Sequence, residues 1–433
     1  MICALPFVIF LALPARAAQV QEFILDNGLK VLLLEDHKSP AVTFQVWYRV
    51  GSRNELDGKS GLSHFLEHMM FKGTKKVGPE HYSQIVARNG GRSNAFTSAD
   101  HTVYFATMSR DKIGVAIELE ADRMRDALLD GNYFEAEKKV VMEERRLRTE
   151  DSPAAALGEV MSAVAYVVHS YRRPVIGWMG DLETMSREDL RRHYELYYAP
   201  NNAFIVAVGD FSTPEILAKI KGEFGKLARG TPPPKVEAEE PPQKGERRVT
   251  LKKEAELPFL AIYYHAPNIK NPDNFALDLL AVVLAGGRSS RLHQELVYHQ
   301  RAARSVEADY GGLSVDSSIF SVSAQLMPEK QIGEVEKAID AIVERLRSEP
   351  VGDKELEKAK NQVEAAFVFG QDSVFGQAMR VGEYESVADW RLLDQYLAGI
   401  RRVTADDLFR VAKKYLDSDR RTVGTLIPVK EKN

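Results

Sequence analysis

Thiol chemistry is all but missing from this sequence. Its one cysteine is Cys3, inside an apolar leader, so disulfides and cysteine nucleophiles are excluded from the mature chain. A thiolate zinc site is excluded with them, which leaves His, Asp and Glu to bind any metal. An excess of charge of one sign is missing too. Lys and Arg number 58 against 62 Asp and Glu, giving a net charge of -4 and a pI near 6.3, and the two signs are interspersed. Such a balance exerts no long-range pull on phosphate backbones, so no nucleic-acid partner is expected.

Long hydrophobic runs are scarce as well. The clearest, Leu5 to Leu13, is too short to span a bilayer. It is followed by Ala15-Arg16-Ala17, a small-x-small cleavage pattern, and residues 1–18 read as a secretory signal peptide. The expected location is therefore the bacterial periplasm, with no stable membrane span after cleavage. No basic residue precedes the run, so a retained anchor is the alternative.

What is present is the composition of an ordinary folded protein: 433 residues, 44% hydrophobic and 28% charged, enough for two domains. Between Leu227 and Arg248 the chain turns rich in Pro, Gly, Lys and Glu, with few residues able to anchor a core. This predicts a signal segment 1–18, a first domain 19–228, a linker 229–247 and a second domain 248–433. The two domains share a plan. Ser186-Arg-Glu-Asp-Leu190, a helix to Tyr197 and a strand Ala203 to Val208 recur as Thr404-Ala-Asp-Asp-Leu408, Tyr415 and Thr422 to Ile427. In both copies a Ser or Thr three residues before an acid suits a helix N-cap. Ala41 to Val50 and Pro258 to His265 alternate as strands. Helical patterns run over Lys112 to Leu128, Tyr133 to Arg148, Gln331 to Arg347 and Asp353 to Phe369. The expected fold is α+β: two homologous domains, each a mostly antiparallel sheet covered by helices.

The chemistry concentrates in Gly61-Leu-Ser-His64-Phe-Leu-Glu67-His68-Met-Met-Phe-Lys-Gly73, which predicts a helix of about three turns ended by a capping glycine. His64 and His68 are four apart, so their rings leave one face and can grip one divalent ion. Glu67 lies beside that face, placed to act as general base toward a metal-activated water. Composition alone predicts roughly 0.03 matches to His-x-x-acid-His in such a chain, so accident is a poor explanation. A third ligand must come from elsewhere. In Tyr133-Phe-Glu-Ala-Glu137-Lys-Lys-Val-Val-Met-Glu143-Glu144, Glu137 and Glu144 are seven apart and share a face, whereas Glu143 points about 100° away. Spacing does not choose between Glu137 and Glu144.

His-x-x-Glu-His followed some 75 residues later by a Glu within Val-Val-Met-Glu-Glu resembles the pitrilysin/insulinase family of inverted zinc peptidases, which includes the mitochondrial processing peptidase. The resemblance covers nearly the whole chain after the leader. It implies one Zn2+ per chain held by His64, His68 and Glu144, with Glu67 as the catalytic base. It implies further that Glu137 supports the site from behind the ligands. Gly90-Gly91-Arg-Ser-Asn94-Ala95-Phe-Thr97 and Asp100-His-Thr102-Val-Tyr104 resemble the family's hairpin, whose edge strand takes up peptide substrate, which makes Asn94, Ala95 and Thr97 the substrate-binding candidates. His101 reads as a surface or hairpin residue.

The second half departs from the pattern. Its equivalent helix, Phe275-Ala-Leu-Asp-Leu-Leu-Ala-Val-Val-Leu-Ala285, has no metal-binding residues at the motif positions. Where the family places an Arg and a Tyr seven apart to orient substrate, this chain has Val297 and Arg304. The resemblance therefore implies a two-chain clam-shell whose partner, a homologous chain or a second copy, supplies the pair; Tyr298, Arg301 and Arg304 are in-chain substitutes. The expected function is zinc metalloendopeptidase action on extended peptides or unfolded segments. The competing reading is a non-catalytic scaffold or assembly subunit.

Overall fold

The structure, a computed structural model, describes residues 19–129 and 131–429; the expected signal peptide lies outside them. The first sheet contains β1 (Gln21–Ile24), β2 (Lys30–Glu35), β3 (Ala41–Tyr48), β4 (Arg92–Thr97), β5 (Thr102–Ser109) and β6 (Ala203–Gly209), in the order β1-β2-β6-β3-β5-β4. The second contains β7 (Arg247–Glu254), β8 (Phe259–Ala266), β9 (Ala303–Tyr310), β10 (Ser318–Leu326) and β11 (Arg421–Val429), in the order β7-β11-β8-β10-β9. Each sheet has one parallel pair, β2 with β6 and β7 with β11; the remaining pairs are antiparallel. Leaving out β1, the two orders match strand for strand, so the α+β architecture of two like halves is what the molecule has.

The helices explain why the central strands are so apolar. Every residue of β6 is buried, as are all but the first of β3. That is the signature of a strand covered on both faces. One face of the first sheet packs on its own half's helices, including Leu62–Met69, Ile113–Asp126 and Arg187–Tyr197. The other face, with Trp47, Phe204 and Val206, is covered by Ala378 and Val381 of the helix Val374–Val387, which belongs to the second half. The exchange is mutual. Leu157 and Met161 of the helix Pro153–Ala165 cover Ala261 and Leu426 of the second sheet. Each fully buried side chain of this kind contributes about 1.5–3 kcal/mol. Both contacts depend on a missing side chain: a Cβ on Gly382 would sit 2.2 Å from Trp47, and one on Gly424 would sit 2.2 Å from Met161.

Polar contacts reinforce the exchange. Glu385 receives Arg49 at 2.5 Å and Lys30 at 2.7 Å. Asp316 receives Arg53 at 2.5 Å and His169 at 3.0 Å. Residues 228–244, running between the halves, form neither helix nor strand.

Candidate metal centre

The motif helix spans Leu62–Met69, about two turns rather than the three expected. It stops early because the next residues close tighter i+3 bonds, Phe71 N–H to His68 and Lys72 N–H to Met69, before Gly73 takes φ 105° and redirects the chain. Phe65, Leu66 and Met69 anchor its inner face in the core. Its start lacks a side-chain cap at Gly61. The carboxylate of Glu55 substitutes, accepting the N–H groups of Gly61 at 2.8 Å and Ser63 at 2.7 Å. Burial pushes the Glu55 carboxyl up to about 7 against the pull of those two donors. His193 meets the Ser63 hydroxyl at 3.0 Å and fixes the same turn.

On the opposite face, the ligand atoms of His64, His68 and Glu144 lie within 4.8 Å of one another, the only such His/Cys/Asp/Glu group of three or more among the described residues. Glu144 Oε2 is 3.3 Å from His68 Nε2 and 3.9 Å from His64 Nε2. Tetrahedral zinc with ligands at about 2.0–2.1 Å places its donors roughly 3.3 Å apart, and two imidazoles with one carboxylate form a donor set that such sites use. The residues present fit the ion.

Spacing left Glu137 and Glu144 equivalent, and the fold separates them. Both sit on the helix Gly131–Arg145, but Glu137 Oε1 accepts from His68 Nδ1 at 2.8 Å, and Lys72 binds its other oxygen at 2.8 Å. In the neutral ring, donation from Nδ1 to Glu137 would leave the Nε2 lone pair of His68 for a cation, on the side of Glu144. Glu143 points away and pairs with Arg146 at 2.9 Å. Burial first, then the positive charges of His68 and Arg148, pulls the His64 pKa down to about 3, so its ring is neutral at pH 7. Burial pushes His68 the same way, but its hydrogen bond to Glu137 and the surrounding carboxylates outweigh that and raise it. Burial raises Glu67, opposed by a hydrogen bond from the Thr97 hydroxyl at 2.6 Å.

Thr97 ends β4, the outermost strand of the first sheet, which pairs only with β5. Along it Asn94 is exposed and Ala95 buried. His64, Glu144 and Thr97 line a cleft of about 500 Å³, walled by Gly158, Tyr171 and Ile176. His101 sits in the hairpin between β4 and β5, one of the two places expected for it, but it is not at the surface. It is 8% exposed, lies against Trp47 at 4.8 Å between ring centres and contacts Ser386 of the second half at 3.1 Å. The exchanged helix covers it, and burial pulls its pKa to about 4. In the second half, Val297 packs on the core and Arg304 is exposed on β9. Sequence reasoning missed the Thr97–Glu67 and Lys72–Glu137 contacts, because neither partner is near the other in the chain.

Two like halves with an inverted His-x-x-Glu-His helix facing a distant glutamate define the class of inverted zinc peptidases. Residues 30–177 match the family model of insulinase, peptidase family M16, and residues 184–363 match that of the M16 inactive domain. The zinc protease PqqE of Helicobacter pylori is 34% identical over 410 residues, 93% of this chain and 92% of that protein. The chain belongs to the insulinase family, M16. An uncharacterized zinc protease of Bacillus subtilis, YmxG, is 27% identical over 92% of this chain and 96% of its own length. The crystal structure of a protease from Helicobacter pylori superimposes with a TM-score of 0.92 at 34% identity, covering 95% of this chain and all, 100%, of that one. The periplasmic protease PqqL from Escherichia coli matches in fold, with a TM-score of 0.78 at 19% identity over 96% of this chain and 48% of its own. No helix among the described residues is long and apolar enough to cross a membrane.

Proposed function

We propose that this protein is a zinc metalloendopeptidase acting on extended peptides or unfolded protein segments. The observation that carries the reading is the convergence of His64, His68 and Glu144 within 4.8 Å beside Glu67. Membership of a peptidase family and a 34% identical relative named a zinc protease support it.

Bound zinc would supply Lewis acidity and acidify a coordinated water. His64 and His68 would hold the ion through Nε2, and Glu144 through Oε2. Glu137 orients the His68 ring from behind, with Lys72 fixing Glu137 in turn. Glu67, steadied by Thr97, takes the proton of the attacking water and passes it to the leaving amine. The outer side of β4, at Asn94, Ala95 and Thr97, receives the substrate as an added strand, whose backbone hydrogen bonds are indifferent to side-chain identity. Val297 and Arg304 leave the chain without the pair expected to orient substrate, so a homologous chain or a second copy completes the chamber. The Escherichia coli protease, about twice as long and with a first half that matches 95% of this chain, supports a unit of two such modules. Export to the periplasm completes the reading.

Metal analysis combined with Glu67→Gln tests it: the variant should keep its zinc and lose cleavage of a quenched peptide. Purified chain with no stoichiometric zinc and no turnover, alone or with its homologous partner, would favour the scaffold reading instead.

A further inference from the structure

The two oxygens of Glu144 face different partners. Oε2 looks toward the two histidines, at 3.3 and 3.9 Å. Oε1 receives the guanidinium of Arg148 at 2.7 Å. Arg148 stands one turn further along, where the helix widens into a π turn over Arg146–Glu150, closed by the Asp151 N–H on the Arg146 carbonyl at 2.7 Å. Widened turns of this kind recur at functional sites. Next to Glu144, Arg145 is buried and gripped by both oxygens of Glu159, at 2.7 and 2.8 Å, and by the Gly177 carbonyl at 2.8 Å. Arg145 therefore pins the backbone that carries Glu144, while Arg148 takes hold of its carboxylate.

We propose that Arg148 is a positioning residue that makes Glu144 a one-oxygen ligand and so keeps a coordination position open for water. A carboxylate can bind a cation through one oxygen or both, and binding through both would crowd the position a catalytic site must leave free. A guanidinium nitrogen on Oε1 takes up one of its lone pairs and sets a fixed positive charge beside it, which disfavours a cation on that oxygen. The Arg148 side chain is 75% exposed, and an ion pair so open to solvent adds little to fold stability. Its effect is on the ligand. Arg148 also lines the cleft, together with Arg173.

The inference rests on the zinc reading, and one experiment separates the two. The full chain, Arg148→Met and Arg148→Lys are loaded with cobalt(II), and the visible spectrum, the metal affinity against a chelator, and kcat and KM are recorded. The original chain should give the intense absorption of a four-coordinate site. Arg148→Met should weaken that absorption as Glu144 turns both oxygens to the metal, and lower kcat roughly tenfold or more with KM and melting temperature little changed. Arg148→Lys should recover part of the band. A wild-type spectrum and kcat in Arg148→Met would overturn the role of Arg148 while leaving the metal centre intact. Failure of the unaltered chain to take up cobalt or zinc would overturn both readings.

Discussion

Glu67 and Glu137 are both carboxylates beside His68, and their environments differ. Glu67 has one hydrogen-bond donor, Thr97, and burial raises its proton affinity, which would suit a group that accepts a proton and releases it. Glu137 is buried between His68 and Lys72, whose hydrogen bonds outweigh burial and hold its carboxyl below the usual range. Glu67→Gln should accordingly lower kcat by about 10²–10⁴ with zinc content unchanged. Glu137→Ala should weaken zinc binding about 10–100-fold, read by competition with a chelator, because His68 loses the acceptor that sets its tautomer. His64→Ala should lose metal and activity together. A further titrating residue belongs to the second half: Asp278, on the wall of a cavity of about 430 Å³, accepts from Tyr396 at 2.9 Å. Burial foremost, with the charge of Asp309, pushes its carboxyl from 3.8 up to about 7. An acid raised in this way binds its proton more tightly when folded, so its contribution is greatest below 3.8 and is lost as pH rises toward 7. Asp278→Asn can still accept from Tyr396, and urea unfolding should show it gaining on the original chain by on the order of 4 kcal/mol between acid and mildly alkaline pH. A difference that stays flat with pH would refute this.

At the scale of elements, local rules govern the helices. Both repeated Ser/Thr-x-x-Asp segments form reciprocal capping boxes, Ser186 with Asp189 and Thr404 with Asp407. Ser186→Ala and Thr404→Ala should each cost about 1 kcal/mol in denaturant titration, and the double variant about the sum, since the caps lie in different halves. The expected helix Gln331 to Arg347 appears as Ile332–Ser348, and Asp353 to Phe369 appears as written. Such long amphipathic segments are legible because every turn repeats the same apolar face. The motif helix was overestimated by a turn, because the glycine taken as its cap serves a loop instead. The helices Pro153–Ala165 and Val374–Val387 went unrecognised. The first is apolar and lacks a polar stripe, and the role of each is set by a sheet far away in sequence.

For the whole molecule, the exchange of helices makes the two halves one body. Gly382→Leu would drive a side chain into Trp47, at an overpacking cost of about 1–3 kcal/mol. Its effect should reach the first half: the near-ultraviolet signal and fluorescence of Trp47 should change in the same transition that unfolds the second sheet. The partner is also a matter for this scale. Sedimentation of the purified chain, with peptidase assays alone and mixed with a homologous chain, should show activity tracking the two-module species. Full turnover from a monomer would mean that residues such as Tyr298, Arg301 or Arg304 replace the missing pair.

What the sequence determined by itself is what recurs within a turn or two of chain: the caps, the amphipathic helices, the alternation of β3 and β8, and the placing of His64, Glu67 and His68 on one short helix. These follow from the fixed periods of helix and strand, which need no knowledge of the rest of the molecule. Only the tertiary structure put Glu144 beside both histidine Nε2 atoms and Glu137 on the far side of His68, buried His101, joined Thr97 to Glu67 and Lys72 to Glu137, and laid each half's helix on the other's sheet. Those outcomes depend on groups tens to hundreds of residues apart arriving at one place, which is settled by how apolar faces of whole elements cover one another and not by any local pattern.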